Sequence, residues 1–353
     1  MSKIVVGMSG GVDSAVTAYL LKAAGHDVIG VTLKTWSGAD GSDGGCCEIS
    51  DARRVAQALD IPFYTVHCES EFRECVVMPF VEDYLAGRTP NPCVVCNRTL
   101  KFSKMIEAAD TFGAQYIATG HYAEIVRLEN GRLAVKNAEF ADKDQTYMLY
   151  RLTQEQLART LMPLGRLPKS EVRAIAGKAG LPVANKPDSQ EICFVTSGSY
   201  ADFIEENAEG FEPRPGSFVD ENGTVLGEHK GIIHYTVGQR KGLGVAFGKP
   251  MYVKRIDAPE NKVVLAPDSA LYSGCVTADC LNFQSIPDLP EGETIAATVR
   301  IRYRHAGERA VITRCGGCVN IEFEKPVRAP APGQSAVFYD ENGCVIGGGR
   351  IVG

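Results

Sequence analysis

The chain has 353 residues, of which 44% are hydrophobic and 23% charged, and a formal net charge of −6. This length suits two or three domains with substantial cores, and the composition is ordinary for a soluble protein. No apolar run approaches a membrane span, and the acidic balance confines any nucleic-acid binding to local patches. The opening "MSKIVVGMSGG" breaks its apolar stretch at Ser9-Gly10-Gly11 without a cleavage site, so no signal peptide and a cytoplasmic location are expected. Twelve cysteines spread over so long a chain read as cytosolic thiols, some reactive or metal-binding, rather than as a disulfide scaffold.

In chain order, residues 3–8 "KIVVGM", 28–33 "VIGVTL", 63–67 "FYTVH" and 116–119 "YIAT" read as short buried-type strands. Helical patterns lie between them at 14–24, 51–59, 71–86 and 102–112. The alternation predicts an α/β domain with a parallel sheet covered by helices on both faces. Ligands of such sheets sit outside the carboxyl ends of the strands. "GMSGGVDS", "KTWSG" and "ATGHY" fall at those ends, so three segments are expected to line one crevice.

After about residue 200 the texture changes. "EENAEGFEPRPGSF" (205–218) is rich in proline, glycine and charge and reads as a boundary. Short strands and turns follow. "FVDENGTVLG" (218–227) and "FYDENGCVIG" (338–347) are nearly the same ten residues, each a hairpin turning at Asn-Gly. "RIDAPENKVVLAPDSA" (255–270) suggests a second boundary and leaves the remainder as a small β-barrel or sandwich. The expected division is a catalytic domain over 1–204, a connecting domain over 205–270 and a β-barrel over 271–353.

Ser9 to Ser14 sit between a strand and a helix. Glycines there let the backbone turn its N–H groups into an anion-binding nest, and the helix adds the positive end of its dipole. The loop lacks the lysine of a Walker loop. The string S-G-G-x-D-S resembles the PP-loop of the ATP pyrophosphatase superfamily. In that family the loop holds a departing pyrophosphate while the substrate attacks the α-phosphate and becomes adenylated. The resemblance implies ATP contacts at Gly7, Met8, Ser9, Gly10, Gly11, Val12, Asp13 and Ser14. It places adenosine contacts at Leu33 and Gly120, with Mg²⁺ offsetting charge and Asp13 its acidic partner.

"GRTPNPCVVCNRTLKF" (87–102) reads as a proline-stiffened loop carrying Cys93 and Cys96, and "NKPDSQEICFV" (185–195) carries Cys193. A lone C-x-x-C is ambiguous between zinc, redox chemistry and plain structure. Cys315 and Cys318 flank a Gly-Gly hairpin turn and read as structural. Cys46-Cys47 is less clear, since adjacent cysteines make poor joint ligands for one metal. Cys68, Cys75, Cys275, Cys280 and Cys344 read as core or surface thiols.

"GMSGGVDS", "GRTPNPCVVCN", "ATGHYA", "DKDQTYML", "DSQEICF", "HYTVGQRKGLG" and "PGQSAVFY" lie in the order and spacing of the bacterial tRNA-specific 2-thiouridylase family, which the whole chain resembles. The resemblance implies replacement of the C2 oxygen of the wobble uridine by sulfur. Cys193 matches the persulfide-bearing cysteine, and Cys96 the thiol that attacks it and ends in a disulfide. It implies as partners tRNA, a persulfide-carrying donor protein or cysteine desulfurase, and a thiol reductant. Arg98 and Lys101 are close enough in sequence to lower a thiol pKa. Where the family loop often reads Asn-Pro-Asp, this chain has Asn91-Pro92-Cys93. Two routes stay open there: Cys93 substitutes as a thiolate, or Cys93, Cys96 and Cys193 hold a [4Fe–4S] cluster.

"ATVRIRYRHAGER" (297–309) alternates, and reads as a strand with Val299, Ile301 and Tyr303 on one face and Arg300, Arg302 and Arg304 on the other. The plain reading is a solvated face; the stripe also suits phosphates. The resemblance places tRNA contacts at Arg302, Tyr303 and Gln334, at His121 and Lys143-Asp144-Gln145, and around the target base at Asn91, Pro92 and Cys93. Two rivals stand beside this: an adenylating PP-loop synthetase acting on a small molecule, and a redox or metal-binding protein built on its C-x-x-C.

Overall fold

The computed structural model describes residues 1–36, 48–187, 192–196, 198–245 and 248–352. Cys46, Cys47 and residues 188–191, which lead to Cys193, lie outside the described residues.

Strands β1 (Lys3–Gly7), β2 (Asp27–Lys34), β3 (Phe63–His67), β4 (Tyr116–Ala118) and β7 (Thr160–Leu161) form one parallel sheet in the order 3-2-1-4-7. Between β4 and β7 the chain makes a hairpin of β5 (Glu124–Arg127) and β6 (Leu133–Lys136). Ile4, Val5 and Val6 are fully buried, as a central strand requires. Alternation along β1 sends Val5 to one core layer and Ile4 and Val6 to the other. Helices α1 (Val12–Ala23), α2 (Ile49–Ala58) and α8 (Lys169–Lys178) pack on the second layer through Val16, Val55 and Val172. On the first layer lie α3 (Glu69–Phe72), α4 (Met78–Leu85) and α6 (Phe102–Thr111), through Phe72, Phe80 and Met105. The parallel α/β sheet expected from the strand–helix alternation is therefore the observed one.

The segment "GRTPNPCVVCN" departs from its expectation as a loop. Helix α5 (Pro92–Cys96) starts at Pro92 and runs through a π-turn (Asn97–Lys101) into α6. Proline suits the first helical position, where its missing N–H has no partner to lose and its φ is already helical. Cys93 and Cys96 thus ride the opening turns of a helix whose Val94 and Leu100 are buried.

Short α7 (Gln154–Ala158) precedes β7, and α9 (Tyr200–Asn207) leads into the second unit. There β8 (Gly216–Val219), β9 (Val225–His229), β10 (Tyr252–Asp257) and β11 (Lys262–Ala266) pair in the order 10-11-8-9. The stretch 255–270, which reads as a boundary, is thus largely the β10–β11 hairpin, with its turn residues clustered around Asn261 (φ +47). Strands β12 (Tyr272–Phe283), β13 (Thr294–Arg300), β14 (Glu308–Cys315), β15 (Cys318–Arg328), β16 (Ser335–Tyr339) and β17 (Val345–Ile351) close a barrel in the order 12-15-14-13-16-17. The two near-identical decapeptides do form the same turn. Asp220 accepts from the N–H of Asn222 and Thr224, Asp340 from those of Asn342 and Cys344, and Gly223 and Gly343 take positive φ.

The arginine segment is not one strand. The last β13–β14 rung pairs Val299 with Glu308, so 301–307 is the connection. Val299 and Ile301 are buried as alternation requires, but Arg302 and Arg304 have left the ladder and make no stripe with Arg300. One apolar core runs through all three units, joining Val5 and Phe80 to Phe218 and Val263 and to Val337. No described helix is long and apolar enough to cross a membrane.

Candidate active site

The phosphate loop joins β1 to α1. Gly10 has φ +78, and a Cβ there would meet the Glu48 carbonyl at 2.6 Å, so only glycine fits. Ser14 Oγ accepts from the Ser9 N–H (3.2 Å) and donates to the Gly11 carbonyl (3.1 Å), folding the loop on itself. Gly120, at the end of β4, is pressed onto the first turn of α1: a Cβ would lie 2.8 Å from the Ser14 nitrogen. Leu33 lies buried near the end of β2. Among the described residues no side chain caps α1, whose N-terminus presents N–H groups and the positive end of its dipole, as an anion site requires. Loop, Leu33 and Gly120 thus sit together at the carboxyl ends of β1, β2 and β4.

The lysine absent from the loop arrives from elsewhere, twice. Lys169, at the start of α8, places Nζ 2.7 and 2.8 Å from the two oxygens of Asp13, and Tyr122 donates its hydroxyl to the same carboxylate at 2.7 Å. Lys186 donates to the Gly10 carbonyl (3.1 Å), Asp51 (2.8 Å) and Glu48 (2.6 Å). Burial works against the charge on Lys186, but its carboxylate partners outweigh that and raise its pKa. The hydrogen bond from Lys186 in turn holds Asp51 below its ordinary value. Two cations therefore flank the nest. The sequence offers no local signal for either, since each meets the loop from more than a hundred residues away.

Asp13 supplies one hard oxygen ligand, which fits Mg²⁺ arriving with most of its shell on phosphate and water oxygens. For a cluster the fit fails. Among the described residues, which include Cys93, Cys96 and Cys193, no three His, Cys, Asp or Glu side chains are grouped to hold a metal ion.

The thiols are set differently. Cys93 is exposed, Cys96 and Cys193 half-buried. Asn97, buried next to Cys96, donates to the Met148 carbonyl at 3.1 Å and pins the helix. Phe194 is buried among Trp36, Phe72, Phe80 and Phe203, with ring centroids 5.1–6.4 Å away, and this anchors Cys193. Cys96 and Cys193 both pack against that core layer. Arg98 is half-buried beside Arg151, and burial first, then that like charge, lowers its pKa. Cys68, by contrast, is buried and its thiol is pushed up to about 12.

The expected RNA-contacting residues divide. Burial raises the pKa of the half-exposed Tyr303 hydroxyl; Asp144 and Cys93 act in the same sense, and Lys143 and Arg304 oppose them, so these groups share one neighbourhood. Tyr303 also lies 6.4 Å from Tyr147, ring to ring. Asp144 itself is buried: it accepts from the Ala138 N–H (2.8 Å), the Thr146 hydroxyl (2.6 Å) and Arg300 (3.0 Å), tying the barrel to the α/β unit. Gln145 accepts from the Tyr122 N–H, and His121 pairs with Thr119 and stacks on Phe102. Arg302 donates to the Arg328 carbonyl, and burial and Arg328 lower its pKa. Gln334 faces the residues just ahead of Asn91, Pro92 and Cys93.

The sheet, its glycine nest and its flanking cations define an α/β nucleotide-binding enzyme of the PP-loop type, extended by two β units. Three family models match in succession: a tRNA methyl transferase HUP domain over residues 2–197, a tRNA methyl transferase PRC-barrel domain over 201–267, and an aminomethyltransferase β-barrel domain over 275–351. The chain is 52% identical to the tRNA-specific 2-thiouridylase MnmA of Lachnoclostridium phytofermentans, with 100% of both chains covered. It is 50% identical to that of Acetivibrio thermocellus over 99% of both, and 50% identical to MnmA 1 of Thermoanaerobacter sp. over 99% of this chain and 98% of the relative. The chain belongs to the tRNA-specific 2-thiouridylase family.

Proposed function

We propose that the protein is an ATP-dependent sulfurtransferase that converts the wobble uridine of tRNA to 2-thiouridine. The observation that carries this is full-length similarity to 2-thiouridylases at 52% identity, in a chain whose phosphate loop keeps its nest geometry. ATP binds with its β- and γ-phosphates on the loop N–H groups and the α1 terminus, and Mg²⁺ offsets their charge. The uridine C2 oxygen attacks the α-phosphorus, pyrophosphate departs, and the base carries AMP on oxygen. This turns a poor leaving group into a good one.

A donor protein leaves a persulfide on Cys193. The Cys96 thiolate attacks the Cys193 sulfur, forming a Cys96–Cys193 disulfide and expelling hydrosulfide, which adds at C2 as AMP leaves. A two-electron thiol reductant then restores both cysteines. Helix α5 supports this by holding Cys96 on a rigid element, and Phe194 supports it by anchoring Cys193. Cys93, on the first turn of α5, takes the position where the resemblance implies a carboxylate, and it acts there as a short anionic group near Tyr303. The barrel and Lys143 supply phosphate and loop contacts, and the target base leaves its stack to enter the crevice. The reaction is cytoplasmic, where tRNA and reductant are found.

Pyrophosphate release tests the first half. It should depend on both ATP and tRNA; release that depends on a small acceptor in place of tRNA would return the protein to the synthetase reading.

A further inference from the structure

Lys143 of the α/β unit and Arg304 of the barrel flank the half-exposed Tyr303 ring, with Arg302 next to it in the chain. Cations around an accessible aromatic suit RNA phosphates and bases. These groups come from two units, and one ion pair ties the units together at their roots. Arg300 is the last residue of β13, two ahead of Arg302, and it donates at 3.0 Å to Asp144, one residue past Lys143. Its side chain is 19% exposed and that of Asp144 only 5%.

The pair belongs to a closed ring of contacts. Asp144 also accepts from the Thr146 hydroxyl (2.6 Å), which lies 3.1 Å from the Tyr339 hydroxyl. The Arg300 guanidinium in turn stands 4.5 Å over the Tyr339 ring. A carboxylate at one end and an aromatic face beneath fix a planar guanidinium in one orientation. Docking of the barrel has other bonds to rest on. Tyr147 donates to the Ser335 carbonyl at 2.8 Å, and Gln284 and Asn282 donate to the carbonyls of Leu149 and Tyr150 at 2.9 and 2.7 Å. What the ring adds is local, at the base of segment 143–145 and of the 301–307 connection.

We propose that Arg300 is a positioning residue for tRNA recognition, holding segment 143–145 and the 301–307 connection at a fixed separation so that RNA meets both at once. The proposal rests on the thiolation reading. Contacts on one rigid surface engage together, whereas contacts on loosened segments each lose affinity to the ordering of the other.

Filter binding of unmodified tRNA tests it, with Arg300→Met and Thr146→Val each made alone and combined with Lys143→Ala or Arg302→Ala. Arg300→Met removes the ion pair. Thr146→Val cuts the ring from the α/β side with the pair left in place, and decides the matter if loss of Arg300 prevents folding. In the native background Lys143→Ala and Arg302→Ala should each raise Kd about fivefold. Arg300→Met alone should raise it about tenfold and Thr146→Val about threefold, and in either background the two alanine penalties should shrink to about twofold. ATP affinity should stay within about twofold of native. Penalties that remain fivefold and multiply with that of the ring variant would overturn the proposal, as would a native Kd in folded Arg300→Met. A matching loss of ATP affinity would make the ring a general prop of the fold and overturn it too. Native protein that fails to bind tRNA would sink the functional reading itself, and this proposal with it.

Discussion

Lys169 grips Asp13 with its ammonium 2.7 and 2.8 Å from the two carboxylate oxygens, although 156 residues separate them in sequence. The pair sits on the first turn of the phosphate-binding helix. Asp13 would hold the metal that accompanies ATP, and Lys169 would then stand beside the polyphosphate and offset its charge. Lys169→Ala should therefore weaken ATP binding about tenfold or more, as loss of a charge-assisted contact does. Equilibrium dialysis with ATP checks this; an unchanged affinity would leave Lys169 a purely structural partner of Asp13.

Lys186 gives a pH dependence. The Asp51 carboxyl is held below its ordinary 3.8, so its contribution is present above that value and disappears as pH falls through the lower folded one. Lys186 is raised above 10.5, so its contribution is complete below 10.5 and lost as pH rises through the folded value. Lys186→Met should lower stability by about 1–2 kcal/mol, uniformly from about pH 6 to 9. The deficit should shrink in acid as its carboxylate partners protonate. Melting curves from about pH 9 down to about pH 3 check it; a deficit that grows toward acid would contradict the pairing.

On the RNA side, two charged residues should behave differently. Arg302→Ala should weaken tRNA binding and reduce its salt slope by roughly one phosphate contact. Asp144→Ala should instead cost about 3 kcal/mol or more of stability, because Arg300 is left half-buried without its carboxylate. Filter binding at several salt concentrations and thermal melts separate the two.

Cys93, Cys96 and Cys193 are not equivalent, the first being exposed and the other two half-buried. Cys96→Ser and Cys193→Ser should each abolish thiolation, whereas Cys93→Asp should retain much of it, since a short anionic side chain is restored and the disulfide pair is untouched. Cys68 should resist iodoacetamide at about pH 8, its thiol being pushed up to about 12 by burial. Anaerobic purification with iron and sulfide analysis completes the test. Stoichiometric iron that is required for activity and lost in Cys93→Ser would replace the persulfide route with a cluster.

The sheet and the phosphate loop were legible because each is written locally, in β-branched runs and in glycines that the backbone geometry demands. The start of α5 was not, because two prolines in "TPNPC" read as a loop although Pro92 stands where a helix accepts one. The arginine alternation persisted past the end of β13 because side-chain pattern does not record where ladder partners run out. Lys169 and Lys186 were invisible for a third reason. Their roles come from tertiary placement, and nothing in "LPKSEV" or "ANKPD" marks a lysine that will stand beside a glycine nest.

The central claim is most directly tested by nucleoside mass spectrometry of unmodified tRNA incubated with the protein, ATP, Mg²⁺ and a persulfide donor. The account predicts 2-thiouridine at the wobble position, dependent on ATP and donor, with AMP and pyrophosphate formed in step with it. Folded, ATP-binding protein that leaves the wobble uridine unchanged under these conditions would contradict it.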